Sequence, residues 1–172
     1  IIITVSNLPG YFTPSGTDNS KSFIYSDGTE ISIKKNINQY IESLKSLLLI
    51  LKDTNSKLVL FAPFPQHEFF LPEICLEQWF RPSWSINQSC KKTEKFIISK
   101  QRVWIMEELK KLEFQKDNFY IYEPAEKLCD DSFCFAIQDD QILYWDKDHI
   151  SNLGNEYIYE DFIEFLKSKK LL

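Results

Sequence analysis

The chain of 172 residues carries a formal charge of -5 and a sequence pI near 5.1. That balance argues against a nucleic-acid role, which is read from a basic patch or stripe, and against a basic membrane-surface module. With 44% hydrophobic, 15% aromatic and 26% charged residues and only four glycines, the chain is neither disordered nor of low complexity, and its length fits one domain with a sizeable core.

Ile1 to Ser6 is a continuous apolar run closed by Asn-Leu-Pro-Gly, and it predicts a buried strand ending in a turn. Ligands in open α/β sheets sit at such strand ends. Asn7 is therefore placed where its amide can donate to an oxyanion; the plain alternative is a turn asparagine. Residues 13 to 35 mix Pro, Gly, Ser, Asp and Lys, and the alternation Glu30-Ile31-Ser32-Ile33-Lys34 predicts a small strand or hairpin arm. From Asn36 the period changes: Ile37, Tyr40, Ile41, Leu44, Leu47, Leu48 and Leu51 form one apolar helical stripe. Its longest apolar run, Leu47 to Leu51, is far short of the ~18 residues that span a bilayer.

Lys57 to Ala62 reads as a second buried strand stopped by Pro63 and Pro65. Strand, helix, strand in that order implies a parallel pair with a right-handed crossover. His67 follows as one of only two histidines; it has no aspartate beside it and reads as a loop or rim residue. Residues 68 to 94 form a long connection with Trp79, Phe80 and Trp84, which lines an acceptor cleft or forms a satellite hydrophobic cluster. A helix is expected from about Thr93 to Leu112 and a third strand at Phe119 to Tyr122. Asp139-Asp140 then turns a short hairpin, and a last helix runs from about Asn152 to Lys167.

The order of the four cysteines suggests two local pairs, Cys75 with Cys90 and Cys129 with Cys134, without the C-x-x-C spacing of a zinc or thioredoxin site. Two disulfides imply an oxidising compartment; the alternative is four buried free thiols. The opening Ile-Ile-Ile-Thr-Val shows no initiator methionine, basic n-region or cleavage site, and it reads as a core strand cut into. The expectation is a fragment of a longer protein, with the N-terminal strand or strands of its sheet missing.

The chemistry concentrates in Tyr144-Trp145-Asp146-Lys147-Asp148-His149-Ile150-Ser151-Asn152-Leu153-Gly154. An aspartate three residues before a histidine can accept from imidazole Nδ1 and leave Nε2 free to take a proton from a nucleophile. The competing reading is a charged turn that caps a helix. A metal site built from Asp146, Asp148 and His149 needs more ligands than one turn can give, so neither a metal nor any other cofactor is expected.

This block, Tyr-x-Asp-x-x-His-x-Ser-x-x-Gly behind a Cys-x4-Cys pair, resembles the closing block of SGNH-type hydrolase domains. It is similar in particular to the extracytoplasmic SGNH domain fused to membrane acyltransferases of acyltransferase family 3, the O-acetyltransferases of bacterial surface polysaccharides. The strand ending at Ser6-Asn7, Tyr11, the strand ending Phe61-Ala62-Pro63-Phe64-Pro65 and Tyr120-Ile121-Tyr122-Glu123-Pro124 occur in the matching order.

The resemblance implies a three-layer α/β/α fold with a parallel sheet of flavodoxin-like type, and a Ser-Asp-His triad of which Asp146 and His149 match two members. It places Asn7 near the oxyanion asparagine, although Val5 and Leu8 depart from the Gly-x-Asn-Asp pattern. No Gly-Asp-Ser is present, so the nucleophilic serine is expected upstream, together with a membrane acyltransferase domain. An acyl donor and a polysaccharide acceptor are the implied substrates, and the periplasmic or extracytoplasmic side of an inner membrane the implied location. A plain SGNH esterase and a non-catalytic carbohydrate-binding domain with a vestigial Asp-His pair remain the alternatives.

Overall fold

The computed structural model describes residues 1–4, 33–68, 70, 72–86 and 90–172. The fold is mixed α/β around a parallel sheet, and the chain divides into two compact units: Ile1–Pro63 with Gln101–Tyr122, and Phe64–Lys100 with Glu123–Leu172.

In the first unit, β1 (Ile2–Thr4), helix α1 (Ile33–Asp53) and β2 (Leu58–Phe61) form the expected strand, helix, strand unit. β1 runs parallel to β2, with Ile3 opposite Val59. α1 starts at Ile33, so the last two residues of the alternating Glu30 to Lys34 segment are helical and not the arm of a hairpin. Two alternating apolar positions, Ile31 and Ile33, were too short a signal to outweigh the long helical stripe that begins beside them.

All four residues of β2 are buried, as a central parallel strand requires. β1 differs from expectation: Ile1, Ile2 and Ile3 are 56%, 44% and 49% exposed. The physical reason is its place in the order β1, β2, then the strand Phe119–Tyr122, which leaves β1 with one strand partner among the described residues.

Adding successive parallel strands in one direction with right-handed crossovers brings both connecting helices to the same face of a sheet. The core of this unit has that composition. Ile37, Ile41, Leu44, Leu48 and Leu51 of α1 and Ile105, Met106, Leu109 and Leu112 of the helix Lys95–Gln115 close over Leu58, Leu60, Phe119 and Ile121, alternate residues of two strands. Each such side chain, when fully buried, contributes about 1.5–3 kcal/mol. The Asn118 amide donates to Leu48 O at 3.0 Å, and Glu113 Oε1 accepts from the Ile121 N–H at 2.7 Å.

The second unit opens with the short helix α2 (Pro72–Cys75) and a single 3-10 turn at Ser83–Ser85, in the connection closed by the disulfide Cys75–Cys90. Trp79 and Trp84 are 95% and 85% exposed, so these rings do not form the buried satellite cluster that was one reading of this segment. β3 (Lys92–Glu94) precedes helix α3 (Lys95–Gln115), which begins here and continues in the first unit. The start of the predicted helix, Thr93, therefore belongs to a strand.

After β4 (Phe119–Tyr122) come the one-turn helix α4 (Ala125–Leu128), β5 (Phe133–Phe135), β6 (Ile137–Gln138), β7 (Gln141–Ile142) and helix α5 (Asn152–Ser168). β5 pairs antiparallel with β3, placing Thr93 opposite Cys134, and Cys134 is bridged to Cys129. Both expected disulfides are thus present, and no described cysteine is free. β6 and β7 form the expected hairpin. Its turn residues Asp139 and Asp140 have φ of 50° and 59°, the left-handed pair of a tight type I′ connection. Among the described residues, no helix is long and apolar enough to cross a membrane.

Candidate active site

The hairpin delivers the chain into a second reversal. Tyr144 bridges antiparallel to Ile150, the Ser151 N–H donates to Leu143 O at 2.9 Å, and the Trp145 N–H donates to His149 O at 2.8 Å. Tyr144 is fully buried and anchors this turn. In antiparallel pairing, residues directly opposite share a face and alternate along the chain, so Trp145 and His149 lie together on the side away from Tyr144. Both are exposed.

Between them, Asp146 organises the turn. Its Oδ1 accepts from the backbone N–H groups of Asp148 at 3.0 Å and His149 at 2.8 Å. The His149 ring then places Nδ1 at 3.0 Å and 2.8 Å from the two carboxylate oxygens. Partial burial pulls the Asp146 pKa upward, but the two backbone donors, the imidazole and Asp148 outweigh it and hold the carboxyl down at about 2. Asp146 is therefore ionised at the near-neutral pH at which a histidine base works. It accepts from Nδ1–H, which leaves Nε2 as the lone-pair nitrogen.

Asp148 is the member that sequence reasoning missed as a partner of the imidazole. Its Oδ1 lies 3.3 Å from His149 Nδ1. The hydrogen bond and charge of Asp146, and then the charge of Asp148, raise the His149 pKa above 6.5. A carboxylate immediately before the histidine was a visible signal for this second partner. Asp146, Asp148 and His149 can bring three donor atoms within 4.8 Å of one another, short of the four ligands of a structural zinc site.

Ser151 and Gly154 serve the turn's exit. Ser151 is the N-cap of α5: its Oγ accepts from the Gly154 N–H at 3.0 Å and donates to the carbonyl of Ile142. A Cβ at Gly154 would run into the carbonyl oxygen of Leu143 and the side chain of Ile150. The Ser-x-x-Gly of the block is therefore explained by capping and close packing, and the helix-cap reading of this stretch and the Asp-His reading hold together.

A family model describing the SGNH domain fused to AT3 domains matches residues 1–164. The chain belongs to the SGNH family. As an SGNH domain of the type fused to AT3 domains, it is a hydrolase-like acyltransferase domain. No curated protein and no solved structure matches the chain.

Of the site residues expected in this SGNH domain, the structure brings Asp146 and His149 into direct contact. Asn7 lies outside the described residues, as does Tyr11. His67 is not a rim residue: it is 1% exposed. Its backbone N–H donates to Lys147 O at 2.7 Å, and that contact with the Asp146 turn places the ring against buried Tyr144 and away from solvent.

Proposed function

We propose that this SGNH domain forms part of an O-acyltransferase that acylates the sugars of a cell-surface polysaccharide, with His149 as general base and Asp146 as its orienter. The observation that carries this reading is the Nδ1 to carboxylate contact of 2.8 Å, which leaves Nε2 as the proton acceptor. The nucleophile is a serine outside these residues. It gives its proton to Nε2 and attacks the acyl carbonyl, and the imidazolium returns the proton to the departing donor group as the acyl-enzyme forms. A sugar hydroxyl then gives its proton to Nε2, attacks the ester, and leaves with the acyl group as the serine is reprotonated. Asn7 is the proposed oxyanion donor.

Supporting this reading, the two disulfides suit an oxidising periplasmic or extracytoplasmic setting. The fusion to AT3 domains suggests a membrane acyltransferase domain as the source of acyl groups. The half-exposed isoleucines of β1 suit an edge that accepts further strands of the sheet. One observation favours hydrolysis instead: the His149 side chain is 69% exposed, open to a water that would resolve the acyl-enzyme as an esterase does.

The test uses the full-length parent protein in a strain that lacks it, reading O-acyl groups on envelope polysaccharide and free acid released. His149→Ala and Asp146→Asn should remove polysaccharide acylation, the latter by about 10⁴-fold in kcat. Release of acid without acylation would assign the esterase. Full activity of His149→Ala would overturn both readings.

A further inference from the structure

Among the buried titratable groups that the mechanism above does not use is His67. His67 is 1% exposed, and burial lowers its pKa to about 4, so its ring is neutral over the range in which a histidine base works. A neutral imidazole carries one proton. Nδ1 lies 3.0 Å from Thr93 Oγ1, whereas Nε2 is buried with no hydrogen-bond partner among the described residues. In either tautomer Nδ1 bonds the Thr93 hydroxyl, as donor to Oγ1 or as acceptor from it.

The ring's other neighbour is Tyr144, met edge-on at 4.7 Å between centroids and 78° between planes. Tyr144 forms the base of the turn through its bridge to Ile150, and Lys147, which accepts the His67 N–H, forms the crown. One residue thus touches the turn at both ends. Thr93 is held in its turn by the β3–β5 pairing opposite Cys134, whose sulfur is bonded to Cys129.

We propose that His67 is a positioning residue for the candidate base: a ring fixed between Thr93 and Tyr144 that sets the pose of the turn at residues 144–150 and, through it, the contact of Asp146 with His149. It touches no substrate and moves no proton. The proposal rests on the reading of His149 as base only for its consequence in turnover, since the positional coupling is measurable without it.

The experiment titrates the His149 ring by NMR in histidine-labelled full-length protein, the signal assigned by its loss in His149→Gln, alongside kcat and KM. Two variants separate the contacts: Thr93→Val removes the partner of Nδ1, and His67→Phe keeps a ring against Tyr144 but cannot hydrogen-bond Thr93. Both should lower the His149 pKa toward 6.5 and reduce kcat about tenfold with KM unchanged, while His67→Asn, whose amide can donate to or accept from Thr93, should recover part of the loss. If His67→Phe does not fold, Thr93→Val decides the matter, because it changes one exchange of hydroxyl for methyl.

An unchanged His149 pKa in folded Thr93→Val would overturn the proposal, even if the protein melted earlier. A shifted pKa with acyl transfer untouched would leave the positioning role standing and remove the reading of His149 as base. Loss of activity in His149→Gln with no pKa change in the Thr93 and His67 variants would do the reverse.

Discussion

His149 and Asp146 sit in a turn whose charges act in one direction. Asp146 accepts from two backbone donors and from the imidazole, and Asp148 adds a second negative charge 3.3 Å from Nδ1. A base works only in its neutral form, so a raised pKa moves the rise of activity upward in pH. The rate of acyl transfer by the full-length protein should therefore climb with an apparent pKa above 6.5, and a pH profile of kcat/KM checks it. Asp148→Asn should move that midpoint down while costing less than tenfold in rate, since Nδ1 keeps Asp146. Asp146→Asn should move it further and cost about 10⁴-fold, because the orienting acceptor is gone. Equal effects from the two aspartates would mean that the shorter contact has no special part. Gly154 makes a different demand: its Cβ has no room beside Leu143 O and Ile150, so Gly154→Ala should destabilise by about 1–3 kcal/mol. For a chain of this size that is a fall in melting temperature of roughly 2–4 °C per kcal/mol, read by calorimetry.

At the scale of elements, stability is linked to pH through the elements that bury His67. The folded ring has a pKa of about 4, below the 6.5 of an unfolded chain, so the unfolded state binds more protons between those values. His67 therefore makes no demand above pH 6.5, and stability should fall as pH drops from 6.5 toward 4, by about 3 kcal/mol in all. His149 weighs the other way: its pair contributes below pH 6.5 and fades as pH rises through the elevated folded value. Denaturant midpoints across this range should show the slope, and His67→Phe should flatten it. What the sequence made legible follows the same division. The α1 stripe, β2, β4 and the Asp139-Asp140 hairpin announce themselves through period or turn chemistry, and Asp146 with His149 through spacing. β3 did not, because Lys92-Thr93-Glu94 has no apolar alternation and owes its strand form to pairing with β5. Nor did the burial of His67, which comes from contacts with Thr93, Tyr144 and Lys147, residues 26 to 80 positions away in sequence.

For the whole molecule, the decisive feature is the unequal state of the sheet's strands. β2 is buried at all four positions and has a partner on each side, whereas β1 has one strand partner among the described residues and leaves Ile1, Ile2 and Ile3 about half exposed. Successive side chains on a strand point to opposite faces, so Ile2 and Ile3 present apolar surface on both. An edge of this kind, β-branched and uncharged, is a template for pairing with another chain. Residues 1–172 expressed alone should therefore self-associate with rising concentration. Ile2→Lys combined with Ile3→Lys, which puts a charge on each face, should suppress the association, as sedimentation velocity would show. The same double substitution in the full-length protein should instead abolish acyl transfer, because there the edge is proposed to receive the strands that carry the nucleophile. A soluble 172-residue monomer with a single cooperative unfolding transition, together with a full-length double variant of normal activity, would mean that β1 is a true outer edge and that the serine must be sought elsewhere in the fold.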